Sequence, residues 1–429
     1  MDPSRVGSGL PDGFLVTPEL SIIIPTHDRC DLLRRTLDAL ALQTIPSDAF
    51  EVIVVADGCR DNTAAQVRSL APPFALRVVE QPATGAAAAR NRGADRATAP
   101  TLLFLDDDME ASPGLLEAHI ASHRSHPGEV ALGYFRLPRD GGDADIVVSH
   151  VDIWWGNRFS SMCRESHRFS FVDLFTGNVS LPRDLFFLSG GFDEHFQGRA
   201  GEDYELAVRL LKRGARFRFV PAASCIHHDQ PTHHRVIERA YAEGRGHVLI
   251  ASKHPETFPA LPLREAADGG PWVRIGPWLR SRPWVLSGFS KGLLLPLEAT
   301  RRLKMRRIMR PLLGFLRYCS YWRGVLTELG SRQELQRFTQ DMPIKPADGA
   351  ELELDLGMDL GRIGRVLEES PVGAARLWYG DKPMGYVAPL SVSEPLRTEH
   401  VLHAIVHSHG TEFLSAHFDG ELWNREEGH

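Results

Sequence analysis

The feature that most constrains the fold is the alternation of short apolar runs with longer amphipathic stretches over the first hundred residues. The apolar runs are rich in Ile, Val, Leu and Phe, and their length suits buried strands rather than helices. We predict strands over 20–25, 50–56, 74–79 and 101–105. Helices are expected between them, over 30–43, 61–70 and 85–97. Repeated strand–helix–strand units imply an α/β fold with a mainly parallel sheet, in which ligands bind beyond the carboxyl ends of the strands.

The pattern continues downstream with less regularity. Further strands are predicted over 130–135, 174–180 and 216–220, and helices over 202–213 and 236–244. A helix is also expected to start at Ser112-Pro113, because serine suits an N-cap and proline the first helical position. Near the end of the chain, strand-like residues flank Gly380-Asp381-Lys382, which is typical of a hairpin turn.

These signals divide the chain into four parts. They are an N-terminal tail (1–18), a Rossmann-like α/β domain (19–265), a helical basic and aromatic segment (266–340) and a small C-terminal α+β domain (345–429). A length of 429 residues is enough for two or three domains. For the last part we predict only an accessory role.

Cysteine usage and the N-terminus indicate the compartment. The five cysteines are scattered and form no CxxC pair, which favours a reducing environment. The first residues lack the basic start and apolar core of a signal peptide, and no run approaches the ~18 apolar residues of a membrane span. We therefore expect a cytoplasmic protein.

The charge is unevenly distributed. The formal net charge is −6, which argues against nucleic acid as a partner. Residues 296–323 nevertheless carry eight basic residues and a single acidic one, mixed with leucines and aromatic residues. Such a segment suits a helix lying on an anionic membrane surface, with Pro283, Pro296 and Pro311 breaking it into short pieces. The alternative is a helical layer packed on the α/β domain.

Three adjacent carboxylates follow the fourth predicted strand directly: Asp106, Asp107 and Asp108. Their mutual repulsion would be destabilising in isolation, and a divalent cation would relieve it. Carboxylate oxygens suit Mg²⁺ or Mn²⁺. The position at the carboxyl end of an apolar strand favours a metal site over a solvated acidic turn.

Seven segments taken together resemble a known family. They are SIIIPTHDR, VIVVADGCRDNT, GAAAARNRGADRA, LLFLDDD, FTGNVSLPRD, GGFDEHF and GEDYELAVRLLKRG. Their order and spacing over roughly residues 20–230 are similar to those of the family 2 glycosyltransferases. The resemblance implies a GT-A fold and inverting transfer of a sugar from a nucleotide diphosphate sugar, UDP being the most frequent donor nucleotide.

The resemblance also assigns roles on the donor side. Pro25, Thr26 and Asp28 correspond to the edge of the nucleobase pocket, and Asp57 to the aspartate that binds the base. The family usually has two acids at the latter place, whereas this chain has Ala56 before its aspartate. The list of implied donor-binding residues is completed by Arg90, Asp106, Asp107, Gly177 and Asn178.

The resemblance also implies residues for metal binding and catalysis. Asp108 corresponds to the carboxylate that ligates Mn²⁺ or Mg²⁺, with Asp106 contacting the ribose or the cation. His227 or His228 could complete the metal shell, and the sequence does not indicate which one points inward. An inverting transfer needs one base to take the proton of the acceptor hydroxyl. Asp203 takes that position, with Glu202 as the second choice.

The expected partners follow from this assignment. QxxRW, the motif of processive synthases in this family, does not occur, so we expect transfer to a discrete acceptor, a glycan or lipid-linked glycan. Peripheral contact with the cytoplasmic face of an anionic membrane and self-association are left open. The alternative function is a catalytically inactive GT-A-fold scaffold or membrane-surface binding protein, which the missing acid at Ala56 would suit.

Overall fold

A computed structural model describes residues 17–138, 146–229, 231–268, 306–346 and 351–408. The strands of these residues are β1 Leu20–Thr26, β2 Phe50–Asp57, β3 Ala75–Gln81, β4 Thr101–Leu105, β5 Met109–Ala111, β6 Val130–Arg136, β7 Asn178–Pro182, β8 Phe217–His227, β9 Glu351–Asp355, β10 Ala374–Tyr379 and β11 Lys382–Val387. The α-helices are α1 Cys30–Leu40, α2 Thr63–Ser69, α3 Ala86–Ala94, α4 Leu115–Ser125, α5 Ile146–Met162, α6 Arg183–Leu188, α7 Glu202–Lys212, α8 His233–Lys253, α9 Glu265–Asp268, α10 Arg306–Leu329, α11 Arg332–Gln340, α12 Leu360–Glu369 and α13 Thr398–Ser408.

The main sheet has eight strands in the order β3-β2-β1-β4-β7-β6-β8-β5. Its first four strands are parallel, and Ile22 of β1 lies level with Val52 of β2 and Leu103 of β4. Strand β7 runs antiparallel to both neighbours, whereas β6 and β8 are again parallel. The predicted α/β class with a mainly parallel sheet is confirmed.

Burial explains why the sequence signal was strong in this sheet. Every residue of β2, which lies next to the edge strand β3, is buried, as expected for a strand covered on both faces. Strand β3 lies at the edge and is half exposed. Helix α3 packs on β1 and β2, and a Cβ at its Gly93 would meet the Ile23 side chain at 2.4 Å. This close packing fixes the start of α3 beside the carboxyl ends of the parallel strands.

Several predicted boundaries were wrong. The strand expected over 174–180 is β7, which begins only at Asn178, because Phe171–Asp173 form a 3₁₀ turn capped by Ser170. Helix α4 begins at Leu115 rather than at Pro113. The helix expected over 236–244 is the much longer α8. Helix α5 was not predicted.

Helix α10 packs along α8. A Cβ at Gly244 of α8 would lie 2.1 Å from the Tyr321 carbonyl oxygen, and one at Gly324 of α10 would lie 2.1 Å from the Tyr241 carbonyl oxygen. Glycine at both positions therefore permits this close crossing. The apolar residues of α10 that are buried in this contact or against α5 are Met309, Leu313, Leu316, Cys319, Tyr321, Trp322, Val325 and Leu326.

This arrangement bears on the basic segment. Residues 306–329 form a helical layer on the α/β domain, as one of the two interpretations proposed. Pro311 lies inside α10, so the expected break at that residue was wrong. Burial of the apolar face of α10 compensates for the loss of the backbone hydrogen bond that proline cannot donate. The predictions for Pro283, Pro296 and the basic residues within 301–304 concern positions outside the described residues.

The C-terminal residues 351–408 form a small sheet in the order β11-β10-β9 with its own apolar core. Strands β10 and β11 form the predicted hairpin, with Gly380 at φ +57°. This unit contacts the α/β domain through a bridge between Ser170 and Ser393. None of the helices in the described residues combines the length and the apolar character that a membrane crossing requires.

Candidate active site

The acidic triplet lies where β4 ends, and its three side chains point to different partners. Asp107 turns inward, where it accepts hydrogen bonds from Thr26 Oγ1 at 2.7 Å and from Arg29 Nη1 at 3.0 Å. Burial raises the pKa of Asp107 to about 6, although the Arg29 charge opposes the rise. Asp107 therefore connects the triplet to the end of β1, and it lines the cavity with only 5% of its area exposed.

Asp108 and His227 form a candidate metal-binding pair. Asp108 Oδ2 accepts from Arg29 Nη1 at 3.0 Å, and Oδ1 has no hydrogen-bond partner within the described residues. His227 Nε2 lies 3.2 Å from Oδ1. Burial acts to raise the pKa of Asp108, but the nearby His227 and Arg29 outweigh it and the pKa lies below its usual value.

This donor set fits a divalent cation. A buried, unsatisfied carboxylate oxygen beside an imidazole nitrogen offers one hard and one borderline ligand, as Mn²⁺ accepts. Asp106 lies at the same cavity wall with 32% of its side chain exposed. His228 faces away, with its Nε2 2.6 Å from Glu110 Oε2 and its Nδ1 2.8 Å from Arg35 Nη1. Of the two histidines, only His227 lines the cavity that the acidic triplet lines.

Arg90 joins the triplet to the start of α7. Its Nη2 donates to Asp106 Oδ1 at 2.9 Å, and its Nη1 donates to Glu202 Oε1 at 3.0 Å. The guanidinium also lies 5.6 Å from the centre of the Phe192 ring. Burial acts to lower the pKa of Arg90, but the two carboxylates outweigh it and raise the pKa. Arg90 therefore holds together two acidic motifs that are distant in sequence.

Glu202 and Asp203 stand at the N-terminus of α7, after Gly201 with φ +113°. Asp203 Oδ1 accepts from the Tyr204 backbone N–H at 2.9 Å. Burial raises the pKa of Asp203 to about 7, and the neighbouring Glu202 charge adds to the rise. A carboxylate with a pKa near neutrality is well matched to proton abstraction at physiological pH.

The predicted donor-side residues divide into two groups. Pro25, Thr26 and Asp57 line the cavity on the triplet side. The Asp57 carboxylate accepts backbone hydrogen bonds from Thr84 and Gly85, each at 2.8 Å. These bonds and that from Gln81 Nε2 lower its pKa against the effect of burial. Asp57 therefore fixes the loop that leads into α3.

Two predicted residues lie away from the cavity. Asp28 accepts from the backbone N–H groups of Arg60 and Asp61, at 2.7 and 3.1 Å, and it adopts φ +52°. Asn178 is buried beneath β8 and donates to the Ala223 carbonyl at 2.9 Å. Its neighbour Gly177 does line the cavity, and a Cβ there would come within 3.0 Å of Asp106 Oδ2.

Sequence reasoning missed three arginines of the site. Arg29 pairs with Asp107 and Asp108, and its place directly after PTHD was the available signal. Arg235 and Arg239 line the same cavity from α8. Their spacing of four puts them on one helix face, but nothing in the sequence alone brings that face to the sheet.

The cavity beside the triplet adjoins a cavity beside Asp203. Arg90, Asp106, His227 and Arg239 line both of them, on the triplet side and on the α7 side of the site. The triplet side also contains Arg29, Arg235 and Asp229, so cations and carboxylates alternate along it. Such a site can bind a phosphorylated ligand together with a divalent cation. The Asp203 carboxylate, which can accept a proton, lies beside them.

Comparison with known families covers this region. Residues 21–192 match the model described as glycosyl transferase family 2, and residues 157–235 match the model described as N-terminal domain of galactosyltransferase. Together the two matched ranges contain the acidic triplet, the α7 acids, His227 and Arg235. Arg239 lies outside both.

Curated relatives share about half of this chain. A validoxylamine A glucosyltransferase of Streptomyces hygroscopicus subsp. jinggangensis is 37% identical over an alignment of 228 residues that covers 48% of this chain and 54% of that protein. A chondroitin synthase of Escherichia coli is 27% identical over an alignment of 278 residues that covers 56% of this chain and 39% of that protein. The chain thus spans about half the length, or less, of these relatives.

Solved structures are similar only at low identity. A mannosyltransferase from Pyrobaculum calidifontis, solved in complex with GDP-Man and Mn²⁺, has a TM-score of 0.48 and 21% identity, covering 72% of this chain and 88% of its own. Residues 1–349 of TarS from S. aureus, in complex with UDP-GlcNAc, have a TM-score of 0.45 and 16% identity, covering 73% and 92%.

Proposed function

Because residues 21–192 of this chain form a family 2 glycosyltransferase domain, we propose that the protein transfers a sugar from a nucleotide diphosphate sugar to a hydroxyl of a discrete acceptor, with inversion at the anomeric carbon. The observation that carries this proposal is the Arg90 bridge between Asp106 and Glu202. It holds a candidate metal and diphosphate site next to a candidate base. An inactive scaffold would have no need of this pairing of buried charges, which is costly to build.

Asp108 and His227 would hold the divalent cation, Mn²⁺ or Mg²⁺, with Asp106 at its edge. When bound, the cation would neutralise charge on the diphosphate leaving group. Arg235 and Arg239 line the same cavity and would neutralise the remaining negative charge of the phosphates. Thr26 and Asp57 border the place where the nucleotide would enter.

Asp203 acts as general base in this proposal. Its carboxylate takes the proton from the acceptor hydroxyl while the acceptor oxygen forms a bond to the anomeric carbon. The bond from that carbon to the phosphate oxygen breaks, and the nucleoside diphosphate leaves with the electron pair. A single displacement inverts the configuration and needs no covalent enzyme intermediate.

The first experiment measures donor binding and donor turnover separately. UDP, GDP and dTDP are titrated calorimetrically with and without Mn²⁺, and the matching nucleotide sugars are followed by release of nucleoside diphosphate. We expect one nucleotide to bind with Mn²⁺-dependent affinity. Binding of none of the three would favour the alternative of an inactive scaffold.

Two variants test the assigned roles. Asp203→Asn should abolish transfer while nucleotide affinity stays at the wild-type value, and loss of both would make the residue structural. Asp108→Ala should remove the Mn²⁺ dependence of nucleotide affinity. Asp184→Asn, an exposed acid at the start of α6, is the matched control and should change neither property.

The cellular setting is proposed from the sequence. We place the protein in the cytoplasm with the basic segment 296–323 in contact with an anionic membrane face. Replacing Arg301, Arg302, Arg306 and Arg307 by Gln should then weaken sedimentation with phosphatidylserine-containing vesicles. Unchanged sedimentation would make the segment a protein contact.

A further inference from the structure

A second cavity adjoins the candidate active site on the side of Asp203 away from the acidic triplet. Helices α5, α8 and α10 form its walls, and the loop before α7 closes one end. Its lining residues are His150, Val151, Trp154, Trp155, Phe175, Ala200, Gly201, Asp203, Tyr204, Val236, Arg239, Glu243, His247 and Arg317. Asp203 lines both cavities, so a ligand here would lie next to the proposed base.

We propose that this cavity is the acceptor site and that it takes a neutral cyclic polyol, a single sugar ring or its carbocyclic equivalent. The inference rests on the proposed function, because only a transferase needs a second substrate beside Asp203. Its chemistry follows from two walls of different character.

The first wall is aromatic. Trp155 meets the edge of Phe175 with ring centres 4.7 Å apart at 83°, and Trp154 meets Trp155 at 4.7 Å and 78°. These contacts, and stacking of Trp155 on Phe159 at 5.5 Å, fix the ring orientations. Trp154 keeps 43% of its surface exposed. Flat apolar faces held in place suit the C–H face of a six-membered ring better than a flexible chain.

The second wall is polar but nearly balanced in charge. Glu243 lies between Arg239 Nε at 3.3 Å and Arg317 Nη2 at 3.9 Å. Its carboxylate is therefore offset by two cations, and the charge of Arg239 also acts on Asp203. Glu243 would repel an anionic ligand, and the two arginines would repel a cationic one. Hydroxyl groups can instead donate hydrogen bonds to Glu243 and accept them from the arginines.

His247 supports a neutral ligand at the base of the cavity. It is 8% exposed, its Nδ1 lies 3.0 Å from the Tyr321 hydroxyl, and its ring is nearly parallel to that of Tyr204. Burial lowers its pKa to about 4, so the imidazole is uncharged at neutral pH. It adds hydrogen-bonding capacity without charge.

The polar wall differs from the aromatic wall in its position relative to the family matches. Glu243, His247 and Arg317 all lie outside the ranges 21–192 and 157–235 that match known families. The aromatic wall and Asp203 lie inside these ranges, so the cavity combines residues that the family models cover with polar residues that they do not cover.

The test uses the nucleotide sugar that the wild-type protein cleaves fastest, with release of nucleoside diphosphate as the readout. Methyl α-D-glucopyranoside and myo-inositol are added as ring probes, and glycerol as the acyclic control. A ring beside Asp203 replaces water there, so we expect each ring probe to change the cleavage rate saturably by at least about twofold. Glycerol at the same concentration should leave it unchanged. No saturable effect of either ring probe would overturn the inference.

Two variants locate the effect. Val236→Trp fills the cavity from α8 and should raise the half-saturating probe concentration at least tenfold. Glu238→Trp, at an exposed position two residues along the same helix, is the matched control and should respond like the wild type. Trp154→Ala, on the other wall, should weaken the response about fivefold. Donor affinity measured on each variant shows whether it is folded.

The outcomes separate this inference from the proposed function. If the wild-type protein cleaves no nucleotide sugar, the proposed function fails and the acceptor site with it. If cleavage occurs and Val236→Trp responds to the probes like the wild type, only the acceptor site is wrong. Octyl β-D-glucopyranoside below its micelle concentration distinguishes the source of the ring. Tighter saturation than with the methyl glycoside indicates a lipid-linked acceptor, and equal saturation a free one.

Discussion

Replacing Arg90 by methionine tests whether its bridge between Asp106 and Glu202 stabilises the site. The variant keeps a long side chain of similar bulk in α3 but removes the cation. Only 7% of the Arg90 side chain is exposed, and it donates at 2.9 and 3.0 Å to the two carboxylates. Without it, two neighbouring carboxylates face each other with no cation between them.

The expected magnitude follows from the exposure of the partners. Removing one member of a buried ion pair costs about 3–5 kcal/mol. The Asp106 and Glu202 side chains are 32% and 20% exposed, so water compensates part of their charge. We therefore take the lower end, about 3 kcal/mol. At roughly 2–4 °C per kcal/mol for a domain of this size, the melting temperature should fall by about 6–12 °C.

Thermal unfolding followed by circular dichroism at fixed scan rate measures this change. Arg92→Met is the matched control, because Arg92 is an exposed residue of the same helix. It should melt within about 1 °C of the wild type, since surface substitutions usually change stability by less than about 0.5 kcal/mol. Added Mn²⁺ should raise the melting temperature of Arg90→Met more than that of the wild type, because a cation at the acidic triplet supplies part of the missing charge.

Two results would refute this reasoning. A melting temperature of Arg90→Met within about 2 °C of the wild type would show that the bridge contributes little to stability. An equal loss in Arg92→Met would show that any arginine of α3 matters for the helix itself. In either case the Arg90 bridge would position the two acidic motifs without stabilising the fold.

Three further predictions follow from the same structure. Because burial raises the pKa of Asp203 to about 7 and a base acts in its ionised form, kcat/KM should rise with pH through about 7 and then level off; a flat profile from pH 5 to 9 would exclude it as the base. Gly246→Ala puts a Cβ 1.7 Å from the Ala200 carbonyl oxygen, so it should displace the loop before Gly201. We expect the free energy of unfolding to fall by about 1–3 kcal/mol and the activity to fall with it; a wild-type melting temperature and activity would show that the loop adapts. Glu394→Ala removes a buried carboxylate and leaves Arg397 without its partner, so it should increase hydrogen exchange at the contact between the C-terminal unit and the α/β domain; unchanged exchange would place the docking elsewhere.

The sequence predicted the parallel half of the fold well, because local and global signals agree there. Each strand from β1 to β4 is a short apolar run followed by a polar turn, and burial on both faces removes any need for alternation. The acidic triplet could be located for the same reason, since it follows the most apolar of these strands. The antiparallel half was less predictable. Strand β7 has two antiparallel neighbours, and its start depends on the 3₁₀ turn at Phe171–Asp173 rather than on its own composition.

Contacts between distant segments explain what could not be predicted. Arg90 looked like a phosphate ligand on a helix, and only the fold shows its guanidinium held between Asp106 and Glu202. Asn178 lies in a motif next to Gly177. Successive side chains of β7 point to opposite faces of the sheet, however, and that of Asn178 points into the core. Arg239 carries no motif at all, and its place in the cavity depends on where α8 crosses the sheet.

The geometry also separates the two candidate bases. Glu202 Oε1 accepts from Arg90 at 3.0 Å and Oε2 from the Gly201 N–H at 3.2 Å, so both oxygens are engaged. Asp203 uses one oxygen for the Tyr204 N–H, and among the described residues no hydrogen bond reaches the other. Glu202→Gln should therefore keep activity and move the acidic limb of the pH profile to lower pH, because the charge that helps to raise the pKa of Asp203 is gone. Activity as low as that of Asp203→Asn, at every pH, would instead assign proton abstraction to Glu202.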